Sequence, residues 1–381
     1  MKDRPIIIKD RPIIIIDETI REGMQYRGVM FSKEQRISIL DFQEGLGIDI
    51  CQAGYPPAHE QEAETIKALV EHTRKNNYKI RIAAMGRANL HDAAILLNTG
   101  VTDLHLHLHI QPGLSEDDLD QSLNDLLPVH GFIQKKAMNA NLCIVMLDIG
   151  RSDNKTLEQC VRFCHQHNID MLSLPDTSGI MAPNQIFDTL SPLCMLPGKC
   201  KISVHCHNDM GMASANSIMG VLAGGNVLEA SVLGIGERNG IADLYTTTRV
   251  LKDQGYLINL KTCDLKLFQA YYQYIDDIVY EQINDHLLNA NTPFFGDAVK
   301  THVAGTHAGG EYGMASEERY YLNSLCGKHL VTKFLHLHKI HCPQNRIGPL
   351  TKEIKTQSIR LNRSLTPADI KKIIVLLADS G

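Results

Sequence analysis

Two histidines separated by one residue are the pair whose type and spacing point most directly to chemistry. His205 and His207 end an apolar run, and residues two apart on a β-strand project from the same face. Two imidazoles on one face can bind a divalent cation together, but they can also be ordinary polar histidines at the end of a strand. The spacing alone leaves both interpretations open.

Acidic and amide side chains in other segments favour the metal interpretation. Asp17 ends the apolar run 13–16, and Asn239 lies in the glycine-rich segment 234–240. With the two imidazoles they would form a ligand set that suits Zn, Mn, Fe or Co, whereas Mg prefers oxygen ligands and more water. We therefore predict four metal ligands, namely Asp17, His205, His207 and Asn239. This prediction requires the Asp17 carboxylate to lie beside the two imidazoles.

Short apolar runs alternate with longer amphipathic stretches, a pattern that predicts parallel strands connected by helices. The predicted strands are 12–17, 48–53, 79–84, 102–109, 142–148, 170–174, 201–206 and 228–233. The predicted helices are 33–45, 59–76, 89–99, 115–140, 154–167, 183–195, 212–224 and 240–254. Eight such units in about 250 residues predict an α/β fold, a (β/α)8 TIM barrel, whose active site lies at the carboxyl ends of the strands.

The pattern changes after about residue 260. A helical stretch at 264–289 is followed by an irregular segment rich in Gly and His at 292–315, and a last amphipathic helix at 366–378 begins with Thr366-Pro367. We predict a barrel domain over 12–280 and a smaller, mostly helical C-terminal subdomain over 281–381.

The composition excludes several classes of protein. The 381 residues are 44% hydrophobic and 21% charged, which is typical of a globular chain, and the net charge of −5 argues against nucleic-acid binding. Ten cysteines without a CxxC pair predict reduced, buried thiols. Charges interrupt the N-terminal segment and no run of about 18 apolar residues occurs, so we expect a cytoplasmic protein without a membrane partner.

Three longer segments resemble a known family. DETIREGMQ (17–25), HCHNDMGMASANS (205–217) and GIGERNGIADL (234–244) are similar to signatures of the DRE-TIM metallolyase superfamily, in particular its Claisen-condensing branch of isopropylmalate, homocitrate and citramalate synthases. GIDICQAGYP (47–56), AMGRA (84–88) and PDTSG (175–179) match in the same order. The resemblance implies an acyltransferase that condenses acetyl-CoA with a 2-oxo acid on a divalent metal ion (Zn, Mn, Mg or Co) and then hydrolyses the thioester.

The resemblance also implies roles for single residues. Arg21 would face an oxyanion or the substrate carboxylate, with Glu22 beside it as an orienting or acid–base group, and Thr177 would bind the 2-oxo acid. The segment 301–310 resembles the part of the synthases in which a histidine, here His307, is a candidate general base. In those enzymes the C-terminal subdomain reaches the partner's barrel, so a homodimer is implied.

The chain departs from the family pattern at three positions. Relatives commonly have Glu where this chain has Met24, Gln52 and Leu147. The loss of carboxylates leaves the proton path unassigned, with the pair Asp148 and Arg151 as a substitute and Arg151 as a candidate for substrate binding.

Three histidines on the fourth strand give a hint about the substrate. His105, His107 and His109 alternate with leucines, so they share one face. If the face is inward, the pocket is polar and can become cationic, which favours an acid with a second anionic group, such as 2-oxoglutarate or oxaloacetate, over 2-oxoisovalerate. If it is outward, the stripe is only solvated. We predict the inward arrangement, with His105 in the substrate site.

Two other functions remain open at this point. A carbon–carbon lyase of the HMG-CoA lyase kind belongs to the same superfamily, but it would have a Cys-bearing loop where this chain has Gly234 to Arg238. A metal-binding barrel that has lost catalysis is suggested by Gln52 and Leu147.

Overall fold

The computed structural model describes residues 12–110, 113–146, 148–303 and 319–379, and the chain divides after Leu287 into two compact units. Each unit has its own core. Within the described residues, no helix combines the length and the apolar character that crossing a membrane needs.

The first unit is a closed barrel of eight parallel strands in sequence order, with β1 paired to both β2 and β8. The strands are β1 (Ile14–Asp17), β2 (Ile50–Gln52), β3 (Arg81–Arg87), β4 (Asp103–Leu108), β5 (Asn141–Met146), β6 (Met171–Asp176), β7 (Lys201–Cys206) and β8 (Val227–Ala230). Helices lie between the strands, so the predicted TIM barrel is confirmed. A parallel barrel collects the carboxyl ends of all its strands at one rim, and this rim contains the candidate site.

The helices of this unit are α1 (Thr19–Gly23), α2 (Lys33–Leu46), α3 (Glu60–Asn76), α4 (Leu90–Thr99), α5 (Glu116–Asn124), α6 (Leu126–Lys136), α7 (Asn154–Gln166), α8 (Pro183–Cys194), α9 (Ala213–Leu222), α10 (Leu244–Asp253) and α11 (Leu265–Ile283). Their ends follow local chemistry. For example, α2 begins with a capping box between Ser32 and Gln35 and ends at Gly47, whose φ of 82° is readily available only to glycine.

Two helices differ from the sequence-based expectation. The single helix predicted over 115–140 is two helices, α5 and α6, which meet at Asp125. Pro128, in the first turn of α6, has no N–H to donate to the carbonyl four residues earlier, which explains the break. The five-residue helix α1 follows β1 after a single residue, Glu18, and was not predicted; it contains Arg21 and Glu22.

The barrel interior has an apolar part and a polar part. Alternate residues of the strands form one apolar cluster, namely Ile16, Ile50, Ala83, Met85, Cys143, Val145, Met171 and Val227. Buried polar residues follow two positions later on the same strands, with Gln52 after Ile50 and Glu229 after Val227. Strand alternation therefore puts Gln52 and Glu229 inside the barrel, between the apolar cluster and the rim.

The second unit contains a short parallel pair, β9 (Thr301–His302) and β10 (Arg319–Tyr320), and the helices α12 (Lys328–Leu337), α13 (Ile347–Leu361) and α14 (Pro367–Asp379). Its core is built from residues of all three helices, including Phe334, Leu350 and Ile370. The Thr366 hydroxyl accepts from the Asp369 backbone N–H at 3.3 Å and caps α14. The predicted helical character of the C-terminal region is confirmed.

All ten cysteines are free thiols. Only Cys263 is exposed, Cys194 and Cys342 are half-buried, and the other seven are buried. This agrees with the prediction of reduced, mostly buried thiols that do not form a disulfide scaffold.

Candidate active site at the mouth of the barrel

The two histidines that opened the sequence argument lie at the carboxyl end of β7. His205 is on the strand, His207 follows it directly, and their exposed fractions are 5% and 6%. Their Nε2 atoms are 3.3 Å apart, and the two ring planes are inclined by 62°. The same nitrogen of each imidazole therefore points to one place inside the rim.

Helix α1 brings a carboxylate to this pair. Glu22 is 1% exposed, and one of its oxygens lies within 4.8 Å of one nitrogen of His205 and one of His207. Two imidazole nitrogens and a carboxylate oxygen at this spacing can bind one divalent cation and leave further coordination positions for water or substrate. Among the described residues, Glu22, His205 and His207 thus provide the ligand atoms needed by the divalent metal ion that the family resemblance implies.

Two further carboxylates orient His205. Its Nδ1 is 2.9 Å from Glu18 Oε2 and 3.1 Å from Glu229 Oε2. The other oxygen of Glu229 accepts from the hydroxyls of Ser173 at 2.7 Å and Ser203 at 2.5 Å. A carboxylate that accepts from one ring N–H fixes the tautomer and directs the other nitrogen at a metal. The arrangement around His205 therefore fits a metal ligand.

These hydrogen bonds determine the charges of the pair. Burial alone would lower the pKa of His205, but the charge of Glu18 and hydrogen bonds to Glu18 and Glu229 raise it to about 10. Burial and the positive charge of His205 lower the pKa of His207 to about 3. At neutral pH one proton therefore lies between the two Nε2 atoms, and a metal ion bound there would replace it.

Arg21 joins the acidic groups into one network. Its guanidinium donates to Glu18 Oε2 at 3.0 Å, to Glu22 and to the Gln52 amide oxygen. Burial opposes ionisation of Glu22, but the charges of Arg21 and the two histidines lower its pKa, whereas burial raises the pKa of Glu18. Arg21 thus keeps Glu22 in the ionised form that a metal ligand requires.

The structure corrects the predicted ligand Asp17. Ile16 faces the barrel interior, so Asp17 faces outward. One Asp17 oxygen accepts from the Thr19 backbone N–H at 2.8 Å and from the Thr19 hydroxyl, and the other accepts from the Tyr271 hydroxyl at 3.0 Å. The acid that lies beside both imidazoles is Glu22, five residues later.

Asn239, the fourth predicted ligand, lies in the loop after β8. It is exposed, and its amide donates to the Asp209 carbonyl at 3.5 Å. Beside it, Arg238 has a φ of 56° and donates from two nitrogens to the Asp209 carboxylate, both at 2.8 Å, and to the Thr177 carbonyl at 2.5 Å. The Arg238 side chain therefore links the loops that follow β6, β7 and β8.

The predicted substrate residues Thr177 and Arg151 lie on the neighbouring part of the rim. The Thr177 hydroxyl accepts from the Asp148 backbone N–H at 3.1 Å, and Ser178 donates to the Asp148 carboxylate. Arg151 pairs with Asp148 at 3.3 Å and is 64% exposed. Asp148 itself has a φ of 59°, a strained value for a residue other than glycine.

The histidine stripe of β4 is directed inward at two positions. His105 is 1% exposed, with its Nδ1 2.8 Å from the Gln52 amide nitrogen, and His107 is half-buried, with its ring 6.3 Å from that of Tyr55. His109 follows the end of the strand and is exposed. Burial lowers the pKa of His105, and it lowers that of His107 to about 4. In both imidazoles burial therefore disfavours the cationic form, so the inward part of the stripe is polar rather than positively charged.

His307 and Leu147 lie outside the described residues. The general-base assignment of His307 therefore stays a prediction.

Sequence reasoning missed three buried members of the network, Glu18, Gln52 and Glu229. A signal existed for Glu229, because it is a charged residue inside the apolar run 227–233, and such a residue in a barrel strand is rarely buried without a partner. For Glu18 the short helix that follows it hid its inward position. Gln52 was noted only as a departure from the family.

Gly236, in the loop after β8, packs against the candidate ligand. A Cβ atom at this position would lie 2.7 Å from Glu22 Oε2 and 3.3 Å from the Gly240 Cα. Only glycine leaves room for the carboxylate in its observed position.

The barrel part of the chain matches a protein-family model described as HMGL-like, over residues 12–270. The chain belongs to the HMGL-like family. This confirms the resemblance to the DRE-TIM superfamily that the sequence motifs indicate. The described residues also include a group that could hold the metal ion implied by the family.

Similar curated proteins include a 2-isopropylmalate synthase of Sulfurisphaera tokodaii, 27% identical over 96% of this chain and 95% of its own length. A homocitrate synthase of Pyrococcus abyssi is 28% identical over 77% of this chain and 78% of its own length. Among solved structures, the hydroxymethylglutaryl-CoA lyase from Pseudomonas aeruginosa has a TM-score of 0.59 at 18% identity, and the match covers 70% of this chain and 93% of that one. That likeness concerns the fold.

Proposed function

We propose that this protein is an acetyl-CoA-dependent synthase of the 2-alkylmalate type. It would join the methyl carbon of acetyl-CoA to the keto carbon of a 2-oxo acid, and hydrolysis of the thioester would release coenzyme A. The observation that supports this most is the meeting of Glu22, His205 and His207 beside Arg21 at the rim of the barrel. The names of the similar curated proteins point to the same reaction class.

Glu22, His205 and His207 are the residues that would hold the divalent cation. The cation would supply Lewis-acid polarisation of the keto carbonyl. Zn, Mn or Co fits two nitrogens and one carboxylate better than Mg does. Glu18 and Glu229 hold the Nδ1–H of His205 and so direct its Nε2, once that nitrogen has lost its proton, at the cation.

The remaining roles concern substrate oxygens and protons. Arg21 would present its guanidinium to the developing oxyanion or to a carboxylate of the 2-oxo acid, because a guanidinium stabilises such charges. Thr177, His105 and Arg151 would bind the acid along the rim and the interior. His307 would act as the general base, supplied from the C-terminal part of the partner in a homodimer.

One assay tests the proposal against its alternatives. The purified protein is incubated with Mn, Zn or Co, acetyl-CoA and a panel of 2-oxo acids, and the free thiol of coenzyme A is followed. We expect thiol release that needs both the metal and one of the acids, and that a chelator abolishes. Thiol release without a 2-oxo acid would be thioester hydrolysis alone and would contradict a synthase. A lyase would release no thiol from acetyl-CoA; it would instead break the carbon–carbon bond of a 3-hydroxy-3-methylglutaryl-CoA substrate and form acetyl-CoA. The absence of turnover with every acid and metal would contradict the proposal and favour a metal-binding barrel that lacks this activity.

The substitution His207→Ala serves as the negative variant, since it removes one ligand atom. Lys67→Ala serves as the matched control and should keep full activity, since this half-buried residue of α3 pairs, among the described residues, only with Glu64 on the same helix. Equal rates in the two variants would contradict the assignment of the site.

A further inference from the structure

The buried side-chain amide of Gln52 lies between Arg21, which can only donate hydrogen bonds, and His105, whose ring nitrogens can donate or accept. Arg21 Nε donates to the Gln52 Oε1 at 2.5 Å, and the Gln52 Nε2 is 2.8 Å from the His105 Nδ1. The exposed fractions of Gln52 and His105 are 0% and 1%. An arginine has only donors, so the amide oxygen must face Arg21 and the amide NH2 must face His105.

This orientation determines where the proton of His105 lies. The Gln52 NH2 donates, so the His105 Nδ1 must accept and has no hydrogen. A neutral imidazole has its single N–H on the other nitrogen, which is here Nε2. No described residue accepts from this Nε2. A buried donor without a protein acceptor is uncommon, and its partner is then an ordered water or a bound molecule.

We propose that Gln52 is a positioning residue that fixes His105 in its Nε2–H tautomer, so that this N–H donates to an oxygen of the bound 2-oxo acid. The identity of the ligand rests on the proposed function, but the tautomer does not. The N–H of a neutral imidazole, and not a positively charged group, then binds the oxygen of the acid at this position. A glutamate at position 52 would accept from Nδ1–H and would reverse the tautomer.

The tautomer can be read directly by nitrogen NMR of protein labelled in the histidine rings, with His105→Asn used to assign the signals. In the wild-type chain we expect His105 to be protonated at Nε2 and not at Nδ1. In Gln52→Glu we expect the reverse. The signals of His107, on the same strand face, should not change. A wild-type His105 protonated at Nδ1 overturns the proposal, whatever the activity of the enzyme.

Kinetics test the contact with the acid. In Gln52→Glu an acceptor nitrogen would face an acceptor oxygen, so KM for the 2-oxo acid should rise at least about tenfold with a smaller change in kcat. Gln52→Met, which neither donates nor accepts, should show both tautomers and a smaller rise. Gln61→Glu, an exposed change on α3, is the control for the added charge and should change neither parameter. A reversed tautomer with an unchanged KM would overturn the contact with the acid.

Discussion

Asp17 and Glu22 are two buried acids, five residues apart, with different surroundings. Asp17 is satisfied by hydroxyl and N–H donors from Thr19 and Tyr271, on the helix side of β1. Glu22 lies inside the rim, where it contacts Arg21 and approaches both imidazoles. The two side chains should therefore differ in what their removal affects.

We expect Glu22→Gln to keep the fold but to lower metal affinity. Loss of a residue that only hydrogen-bonds to a metal ligand costs about 10–100-fold in metal affinity, and loss of the ligand itself should cost more. Asp17→Asn should leave metal affinity unchanged but lower the free energy of unfolding by about 1–3 kcal/mol, because an NH2 group would face buried donors. Metal titration and urea denaturation of both variants measure the difference. The opposite pattern would return the ligand role to Asp17.

Metal binding should depend on pH through His205. Its pKa in the folded, metal-free protein is about 10, against about 6.5 when unfolded, so its charge stabilises the fold fully below about pH 6.5 and this contribution is lost as the pH rises through 10. A metal must displace this proton from Nε2. Apparent metal affinity should therefore rise about tenfold per pH unit between about pH 6.5 and 9.

Calorimetry in two buffers with different ionisation enthalpies should detect one proton released per metal ion bound. His207, with a pKa of about 3, should contribute none. A metal affinity that does not change with pH would mean that His205 is not protonated in the metal-free protein.

The sequence was sufficient to predict that the imidazoles of His205 and His207 lie side by side, because residues two apart at the end of a strand project to one face. It was not sufficient to choose between Asp17 and Glu22. The run 13–16 is four isoleucines, and a parallel strand that is buried on both faces has no polar alternation to show which face is inward. The orientation of Asp17 follows only from pairing with β2 and β8.

Among the structural elements, the loop after β8 matters most for the site, because Gly236 packs directly on the Glu22 carboxylate. Gly236→Ala should displace this carboxylate, lower metal affinity at least about tenfold and cost about 1–3 kcal/mol of stability through overpacking. Gly131→Ala in α6 is the matched control, because nothing lies within 4 Å of its added Cβ.

The control should raise the free energy of unfolding by about 0.5–1 kcal/mol, as an alanine does in a helix interior. Metal titration and thermal unfolding of the two variants measure the change in metal affinity and the change in stability. Unchanged metal affinity in Gly236→Ala would show that Glu22 can move without loss of the site.

Most strands and helices of the barrel could be predicted because apolar runs and amphipathic stretches alternate with clear ends. The exceptions have local causes. Pro128 divides one amphipathic stretch into two helices, and α1 has only five residues, too few for a 3.6-residue period to be recognised. Since α1 contains both Arg21 and Glu22, this missed element explains why the sequence-based ligand set included Asp17 and not Glu22.

At the scale of the whole molecule, the proposed mechanism assigns one residue of the C-terminal region, His307, to the reaction. We expect His307→Ala to keep metal and 2-oxo acid binding but to lose turnover, because the proposed general base would be absent. Sedimentation should give a dimer for both the wild type and the variant. Full activity of the variant would contradict a role of His307 in the mechanism. Activity of a monomeric wild-type protein would contradict a contribution from a partner subunit.

The interior of the barrel also contains thiols whose burial has a practical consequence. Cys143 lies in the apolar cluster and Cys206 ends β7, and burial raises the pKa of Cys206 to about 12 and that of Cys143 well above its usual range. A thiol reagent should therefore modify exposed Cys263 at once and reach Cys143 and Cys206 only when strands separate. The labelling rate of these two cysteines therefore measures how often the barrel opens, without the need to introduce a reporter residue.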